Sequence, residues 1–300
     1  MYLGMRDVIA HRTIEDDYSV FQDLGLTAME VRIERDLTLQ FLGDAPFSIA
    51  DAESKRRLLT HMQQRGVEIK GLLLCTKFDG SEAETRWVRE SARFARELGI
   101  ESMRVDCGRP DPGDATGRDA LLSELAPVFE TLLDAAGESG VKLALENHGP
   151  WTNQPEVMGA LLDLLAARGL RLCLDTGNFY CTGQRPLSEV YATMTQLAEY
   201  VTTTHVKNAS YPAEFRESPR DSERFPYKNH SIRIEQGDIE HAKVFGILKD
   251  AGYDGAWFYE DEALYRVPDG TDKAETMATT LARLKENLAS VEEATVPAGA

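Results

Sequence analysis

The chain has 300 residues and is strongly acidic, with 50 acidic against 33 basic side chains and a formal net charge of −17. Such a charge repels nucleic-acid phosphates and anionic membrane surfaces, which argues against both as partners. No apolar run is long enough for a transmembrane helix, and MYLGMRDVIAH at the start lacks a signal-peptide pattern, so we expect a cytoplasmic protein.

Apolar or β-branched runs alternate with helical patterns along the chain. The predicted strands cover residues 2–6, 28–32, 67–74, 101–106, 141–146, 170–175, 201–206 and 256–261. The predicted helices cover 13–24, 51–65, 81–98, 118–139, 155–168, 187–199, 239–250 and 273–290. This α/β alternation predicts a (β/α)8 TIM barrel that forms a single domain over residues 1–290, followed by a flexible tail over 291–300.

A long polar segment, residues 209–237, interrupts the alternation after the seventh predicted strand. It contains three prolines, many charges and the aromatic residues Tyr211, Phe215, Phe225 and Tyr227. A loop at this point in a barrel lies over the mouth, as a lid or wall or as a disordered excursion. The aromatic residues favour a wall or a surface that faces a partner.

Four of the predicted strands end at or beside an acidic or imidazole side chain. These residues are Glu146, Asp175, His205 and Glu260. The carboxyl ends of barrel strands converge on one face, where enzymes of this architecture carry their active sites. Three carboxylates that met there would repel one another unless a cation neutralised them. The mostly oxygen ligand set suits Mn²⁺, Mg²⁺ or Co²⁺ and predicts a divalent-metal site.

The runs LALENHG, CLDTGNF, HVKN and AGYDGAWFYE resemble the metal-site strands of the sugar phosphate isomerase/epimerase family, whose members are xylose isomerase-like barrels. The resemblance covers essentially the whole chain and is clearest from the fifth strand. It implies one divalent ion, Mn²⁺ first, held by Glu146, Asp175, His205 and Glu260. It also implies that the two glutamates act as acid and base on opposite faces of a bound sugar. Such a proton transfer next to a carbonyl produces an ene-diolate, which a metal stabilises by chelating the oxygens.

Three further residues near these strand ends are candidates for the active site. His148 and Lys207 each follow a predicted metal ligand by two residues and should emerge on the same side of their strands. His148 is predicted to act as a base or to bind substrate, unless it is an ordinary loop histidine. Lys207 could hold a hydroxyl, carboxylate or phosphate group. Trp151 could stack on a sugar ring or pack in the core.

The chain departs from the ketose 3-epimerases of this family at two positions that contact substrate there. Three residues after Asp175, where those epimerases usually carry histidine, this chain has Asn178. Six residues after His205, where they often carry arginine, it has Tyr211. Asn178 therefore counts as a candidate for substrate binding, and the identity of the substrate stays open.

Several functions remain to be compared. The leading hypothesis is a metal-dependent isomerase or epimerase of a small carbohydrate or keto-acid, which we expect to form a homo-oligomer. The alternative is a metal-dependent lyase on the same scaffold: a dehydratase, or an enzyme that cleaves a 3-keto-glycoside. A C-glycoside deglycosidase of this kind could carry a small partner subunit. Endonuclease IV shares the barrel, but a DNA-repair enzyme needs a basic groove, which the acidic composition argues against. A binding barrel without catalysis would hold no metal.

The remaining polar strand residues and the cysteines receive structural interpretations. Glu30, Lys70 and Asp106 end earlier strands and could line the pocket, but we interpret them as ordinary polar residues of those strands. The chain has four cysteines without any C-x-x-C spacing, and they are interpreted as buried reduced thiols.

Overall fold

A computed structural model describes residues 1–43, 45–107, 115–183, 185–219 and 224–293. Parallel strands close into a barrel in which every strand pairs with both of its neighbours. The barrel strands are β1 (Tyr2–Arg6), β2 (Ala28–Arg32), β3 (Glu68–Leu74), β4 (Ser102–Val105), β5 (Lys142–Glu146), β6 (Leu170–Asp175), β7 (Val201–Val206) and β8 (Ala256–Tyr259). Their order around the barrel follows the chain, from β1 to β8 and back to β1. The predicted TIM barrel is confirmed.

Helices alternate with the barrel strands. Their bounds are Asp7–Thr13, Tyr18–Asp23, Ala52–Arg65, Glu82–Glu97, Ala115–Gly137, Gly149–Thr152, Pro155–Leu165, Asn178–Cys181, Leu187–Leu197, His241–Asp250 and Lys273–Glu293. The helix Glu82–Glu97 illustrates how they pack, because it buries Trp87, Val88 and Phe94 in the hydrophobic core. Within the described ranges, no helix is both long enough and apolar enough to cross a membrane.

Local signals explain several of the helix ends. Asp51 and Ser81 precede helices, and each side chain accepts a hydrogen bond from a backbone N–H of the first turn, at 2.6 and 3.1 Å. Gly66 and Gly169 follow helical segments with φ angles of +61° and +106°, a left-handed conformation that glycine adopts without a steric penalty. Glycine at these positions therefore allows the chain to leave the helix and enter the next strand.

The first predicted helix is wrong in its position. Instead of one helix over 13–24, the structure has the short helices Asp7–Thr13 and Tyr18–Asp23. The first begins directly after β1, where Asp7 Oδ1 accepts a hydrogen bond from the backbone of Val8 at 2.6 Å. Glu15 and Asp16, with φ angles of +50° and +57°, separate the two helices because a helix cannot continue through left-handed backbone.

The last helix reaches into the predicted tail. The last helix, Lys273–Glu293, continues three residues beyond the expected domain limit at residue 290. It buries apolar residues such as Met277, Leu281 and Leu284 as part of the barrel domain. Residues 294–300, the rest of the predicted tail, lie outside the described residues.

The segment after β7 is folded where it is described, over 209–219 and 224–237. It begins with a short antiparallel ribbon in which Asn208–Ala209 pairs with Ser231–Ile232. Tyr211 stacks on His230 with ring centroids 4.3 Å apart. Tyr211 is almost completely buried, so its aromatic ring stabilises the loop itself rather than forming an exposed wall.

Phe258 fills the barrel interior below the strand ends. A Cβ atom added to Gly4 or to Gly71 would lie 2.8 Å from the Phe258 ring. At Gly71 the added atom would also lie 2.9 Å from Cγ of Glu30. The absence of a side chain at these two positions on β1 and β3 therefore lets the ring of Phe258 and the side chain of Glu30 occupy the barrel.

We expect Gly71→Ala to destabilise the fold by about 1–3 kcal/mol, because its Cβ would overlap the Phe258 ring and displace Glu30. Gly159→Ala is the matched control, since Gly159 lies inside a helix and its added Cβ would meet no atom within 4 Å. The free energy of unfolding of that control should increase by up to about 1 kcal/mol, because alanine has a higher helix propensity than glycine. Urea denaturation measures both, and equal stability of the two variants would contradict this account of the barrel interior.

Candidate metal centre

The barrel brings the four predicted ligands together. Glu146 and Asp175 are the last residues of β5 and β6, His205 lies in β7, and Glu260 directly follows β8. The parallel register sets Asp175 opposite His205. One ligand atom from each of the four lies within 4.8 Å of the ligand atoms of the other three, and none of the residues is more than 5% exposed. We refer to these four residues as the ligand cluster.

His205 stands at the centre of this cluster. Its Nδ1 atom lies 3.1 Å from Oε1 of Glu146 and 3.2 Å from Oε2 of Glu260. The ring is fully buried, so its orientation is fixed by its neighbours rather than by solvent. Nδ1 is therefore the histidine atom directed at the space shared with the carboxylates.

Asp175 is oriented by backbone groups. Its Oδ1 atom accepts hydrogen bonds from the N–H groups of Gly177, at 2.8 Å, and Asn178, at 2.9 Å. Its own N–H donates to Oδ1 of Asn147 at 2.8 Å. These bonds hold one carboxylate oxygen away from the cluster centre and leave Oδ2 directed toward Lys207, whose Nζ lies 2.9 Å away.

Each carboxylate of the cluster has a buried basic partner. The pairs are Arg104 with Glu146, Arg6 with Glu260, and Lys207 with Asp175. In the two arginine pairs, the guanidinium contacts one carboxylate oxygen and leaves the other facing His205. Buried charges are costly unless they are paired, so these cations make the concentration of negative charge possible. They also hold the inner oxygens in place.

The charges of the cluster shift its pKa values in different directions. Burial raises the pKa of Glu146, but Arg104, His205 and His148 together outweigh burial and hold that pKa well below its usual range. Burial also raises the pKa of Glu260, and Arg6, Lys207 and His205 together outweigh it and hold that pKa well below its usual range. Burial raises the pKa of Asp175 to about 6, although the neighbouring ammonium opposes it. All three groups are thus mainly carboxylates at neutral pH.

The donor atoms fit a divalent cation. Oδ2 of Asp175 and Oε2 of Glu260 are buried and, among the described residues, accept no hydrogen bond of good geometry, although the ammonium of Lys207 lies 2.9 and 3.5 Å from them. Buried oxygens without hydrogen bonds are uncommon and require an explanation such as a bound ion. Three carboxylates and one imidazole are ligands that Mg²⁺, Mn²⁺, Co²⁺ and Zn²⁺ can share.

His148 lies at the mouth of the barrel, where 48% of its side chain is exposed. Its Nδ1 atom lies 3.1 Å from Oδ1 of Asp106. This hydrogen bond is the main cause that raises the pKa of His148. Asp106 also lies 3.4 Å from Arg104, so the pair continues the charged network around the cluster. Asp106, interpreted from sequence as an ordinary polar residue, therefore contacts a predicted catalytic residue.

The structure separates the three residues that were predicted to bind substrate. Lys207 adjoins the cluster, and Nδ2 of Asn178 lies 3.4 Å from Oε1 of Glu146. Trp151 is fully buried in the hydrophobic core. It offers no face on which a sugar could stack, so its position corresponds to the packing alternative.

From the sequence, no role in the site was assigned to three charged residues that lie behind the cluster. Glu30 is fully buried, and Arg6 and Arg104 are at most 8% exposed. Each lies in a mainly apolar strand that ends at the same face as the ligands. A charged residue in such a strand has to find a partner inside the barrel, and that signal could have identified all three.

Two cavities lie at opposite ends of the barrel. One of about 450 Å³ opens beside the cluster on the side of β1 to β3, and its lining includes Arg6, Arg12 and Cys75. The other, of about 550 Å³, lies at the amino-terminal ends of the strands and includes Lys70, which is thus remote from the cluster.

The cysteines are all free, as expected, but they are not all buried. Cys107, Cys173 and Cys181 are buried, whereas Cys75 is exposed. The interpretation of Cys75 as a buried thiol is therefore wrong. Cys75 directly follows β3, where the chain leaves the barrel interior for the cavity beside the cluster.

Comparison with known proteins gives a family and a set of similar folds. Residues 19–287 match the sequence model of the family described as xylose isomerase-like TIM barrel. No protein of curated function matches the sequence significantly.

Solved structures with a similar fold include a D-tagatose 3-epimerase-like protein, with 16% identity, a TM-score of 0.64 and coverage of 99% of this chain and 100% of that one. The IOLI protein with a bound zinc atom has 14% identity, a TM-score of 0.66 and coverage of 97% and 99%. A xylose isomerase-like TIM barrel protein from Mycobacterium smegmatis in complex with magnesium has 17% identity, a TM-score of 0.61 and coverage of 91% and 87%. At these identities the likeness shows the fold alone.

A buried histidine behind the cluster predicts a pH effect on stability. Burial lowers the pKa of His241 to about 4, and its Nε2 lies 3.3 Å from Oγ1 of Thr176. In the unfolded chain the pKa returns to about 6.5, so the unfolded state binds more protons between these values. The contribution of His241 to the free energy of unfolding is therefore present above pH 6.5 and is lost as the pH falls toward 4.

Between pH 7 and pH 4.5, we expect the free energy of unfolding of the wild-type protein to fall by about 2 kcal/mol more than that of His241→Gln. The comparison with the variant removes the contributions of the carboxylates, which titrate in both proteins. Chemical denaturation at the two pH values measures the difference, and a pH-independent difference would contradict the assignment of a neutral buried imidazole.

Proposed function

Because the chain belongs to the xylose isomerase-like TIM barrel family, we propose that it is a divalent-metal-dependent isomerase or epimerase of a small sugar or keto-acid. The observation that carries the proposal is the buried ligand cluster at the carboxyl ends of β5 to β8. Its position agrees with the face where barrel enzymes do their chemistry. The D-tagatose 3-epimerase-like protein supports the proposed type of reaction.

The proposed cofactor is a divalent ion, with Mn²⁺ as the first candidate because of the oxygen-rich ligand set. The zinc and magnesium in the two metal-containing structures support a divalent ion as the cofactor. When bound, such an ion polarises a substrate carbonyl and stabilises the negative charge that develops as the adjacent carbon loses its proton.

Glu146 and Glu260 are the proposed acid and base. They reach the cluster from β5 and from the end of β8, on strands that are separated by β6 and β7. One carboxylate can therefore remove a proton while the other returns one from a different side of the substrate. Arg104 and Arg6 lower the pKa of these groups and make them weak bases, so the substrate carbon itself has to be acidified.

The polar residues around the cluster are proposed to bind the substrate. Lys207 is at most 5% exposed and carries a charge that can hold a hydroxyl or carboxylate oxygen. His148, held by Asp106, reaches the exposed mouth and can bind a more distant hydroxyl group. Asn178 lies beside Glu146, where its amide can bind a substrate oxygen.

A lyase is the second candidate, and the half-exposed His148 is the observation that favours it. Its imidazole stands where a leaving group would depart toward solvent, and Asp106 holds the ring there. A dehydratase or a 3-keto-glycoside lyase would use the same proton abstraction and then expel water or an alcohol.

Binding of the cofactor can be tested without a known substrate. Addition of Mn²⁺ at 100 times its Kd should stabilise the protein by about 2.7 kcal/mol and raise its Tm. Glu146→Gln should show a much smaller shift because it replaces a carboxylate ligand by an amide. No shift and no protein-bound Mn²⁺ by elemental analysis would contradict a metal centre.

Catalysis is tested by incubating the Mn²⁺-loaded protein with ketoses and keto-acids in D₂O. We expect deuterium at the carbon next to the carbonyl, measured by NMR or mass spectrometry. Glu146→Gln and Glu260→Gln should each lower the exchange rate at least ~100-fold, as expected for loss of a general acid or base.

The matched control is Glu84→Gln. Glu84 is also a fully buried carboxylate, but it accepts hydrogen bonds from the backbone of Lys77 and Asp79 and does not touch the cluster. It should retain exchange. Absence of exchange with every ketose and keto-acid would contradict the isomerase proposal, whereas exchange accompanied by release of water or an alcohol would identify a lyase.

A further inference from the structure

Glu30 contacts the side of His205 that faces away from the ligand cluster. It lies in β2, is fully buried, and its Oε2 atom is 2.7 Å from Nε2 of His205. The other ring nitrogen, Nδ1, faces Glu146 and Glu260. The imidazole is therefore held between a carboxylate behind it and the proposed metal site in front of it.

The hydrogen bond from His205 determines which ring nitrogen carries a lone pair. A neutral imidazole has one N–H donor and one acceptor nitrogen, and an ionised carboxylate can only accept. Nδ1 faces carboxylates as well, so both ring nitrogens can donate while no cation lies among them. With a cation between Nδ1 and those carboxylates, Glu30 would remain as the acceptor for the ring N–H, which would place the proton on Nε2 and direct the lone pair of Nδ1 at the cation. Outer carboxylates of this kind fix the tautomer and the ring orientation of histidine ligands.

We propose that Glu30 is a positioning residue that makes His205 competent to bind the metal through Nδ1. This inference rests on the proposed metal-dependent function, and it concerns a residue that lies outside the ligand cluster. Glu30 acts through His205 and contacts neither the ion nor the substrate.

Arg6 connects the same support to a second ligand. Its Nε atom lies 3.1 Å from Oε2 of Glu30, while its Nη1 donates to Oε1 of Glu260. The pair Glu30–Arg6 thus contacts both His205 and Glu260 from behind. Gly71 completes the arrangement because a Cβ there would lie 2.9 Å from Cγ of Glu30 and force it to move.

The competing interpretation is that Glu30 only neutralises Arg6. Under that interpretation, loss of the Glu30 charge would lower stability without changing how His205 binds the metal. The two interpretations therefore differ in metal affinity and in the tautomer of His205, which can be measured separately from activity.

The first test compares Mn²⁺ binding to the wild-type protein and to Glu30→Gln by isothermal titration calorimetry. The amide is nearly isosteric, but it can turn its NH₂ group toward Nε2 and stabilise the wrong tautomer. We expect the Kd for Mn²⁺ to rise about 10–100-fold, the usual loss when an outer partner of a histidine ligand is removed. Glu84→Gln, which removes an equally buried charge beside Arg35, should leave the Kd unchanged.

The second test uses the wild-type protein alone and does not depend on how a variant folds. In protein with ¹⁵N-labelled histidine and bound Mg²⁺, the His205 ring should carry its proton on Nε2. A proton on Nδ1, or an unchanged Kd in Glu30→Gln, would overturn the proposed role of Glu30.

The outcomes also separate this inference from the proposed function. If Glu30→Gln binds Mn²⁺ as tightly as the wild-type protein does, the proposed role of Glu30 is overturned, but the proposed metal-dependent function is not. A wild-type protein that binds neither Mn²⁺ nor Mg²⁺ would overturn both. If the wild-type protein and Glu84→Gln bind Mn²⁺ with the same Kd and Glu30→Gln binds it more weakly, both the proposed function and the role of Glu30 are supported.

Discussion

Mutual repulsion among buried carboxylates is the constraint to which the rest of this barrel responds. Glu146, Asp175 and Glu260 converge within one cluster where water cannot screen them. Cations from other parts of the barrel compensate: Arg6 at the end of β1, Arg104 in β4 and the lysine that follows β7. The closed barrel is what allows strands far apart in sequence to supply these charges to one place.

The same compensation has a chemical consequence for the carboxylates. Each arginine holds one oxygen of its partner and orients the other toward His205. This preorganisation reduces the rearrangement needed to bind an ion or a substrate. Glu146 and Glu260 also become weaker bases, which is why their pairing fits a reaction in which a cation acidifies the substrate. Geometry and basicity are set by the same contacts.

The fold and the convergence of the four candidate ligands could be predicted because their signals are local. The strand LRLCLD is an apolar run that ends on a potential ligand, and the structure gives it the predicted bounds, Leu170–Asp175. The contacts of Arg6 and Glu30 with these residues could not be predicted from the sequence, because the partners are far apart along the chain. Arg6 contacts Glu260 across 254 positions, and His205 contacts Glu30 across 175. Only the closure of the barrel makes those residues neighbours.

Trp151 and the first helix show a different limit of sequence reasoning. An aromatic residue just past a strand end can face either a ligand or the core. Tertiary packing buries Trp151 in the core. In the first helix, the left-handed backbone at Glu15 and Asp16 interrupted a pattern that looked continuous. Neither residue type requires that conformation, so no residue signalled the break.

The side chain of Phe258 fills the barrel interior toward the amino-terminal ends of the strands. Its ring lies against the two positions without side chains, Gly4 and Gly71, and borders the cavity at the amino-terminal end. Its ring therefore stands between the charged layer above it and that cavity, so a substrate of the proposed metal centre would approach from the carboxyl-terminal mouth. The loops at that mouth would then contact the substrate, whereas the residues that line the amino-terminal cavity lie on the far side of Phe258.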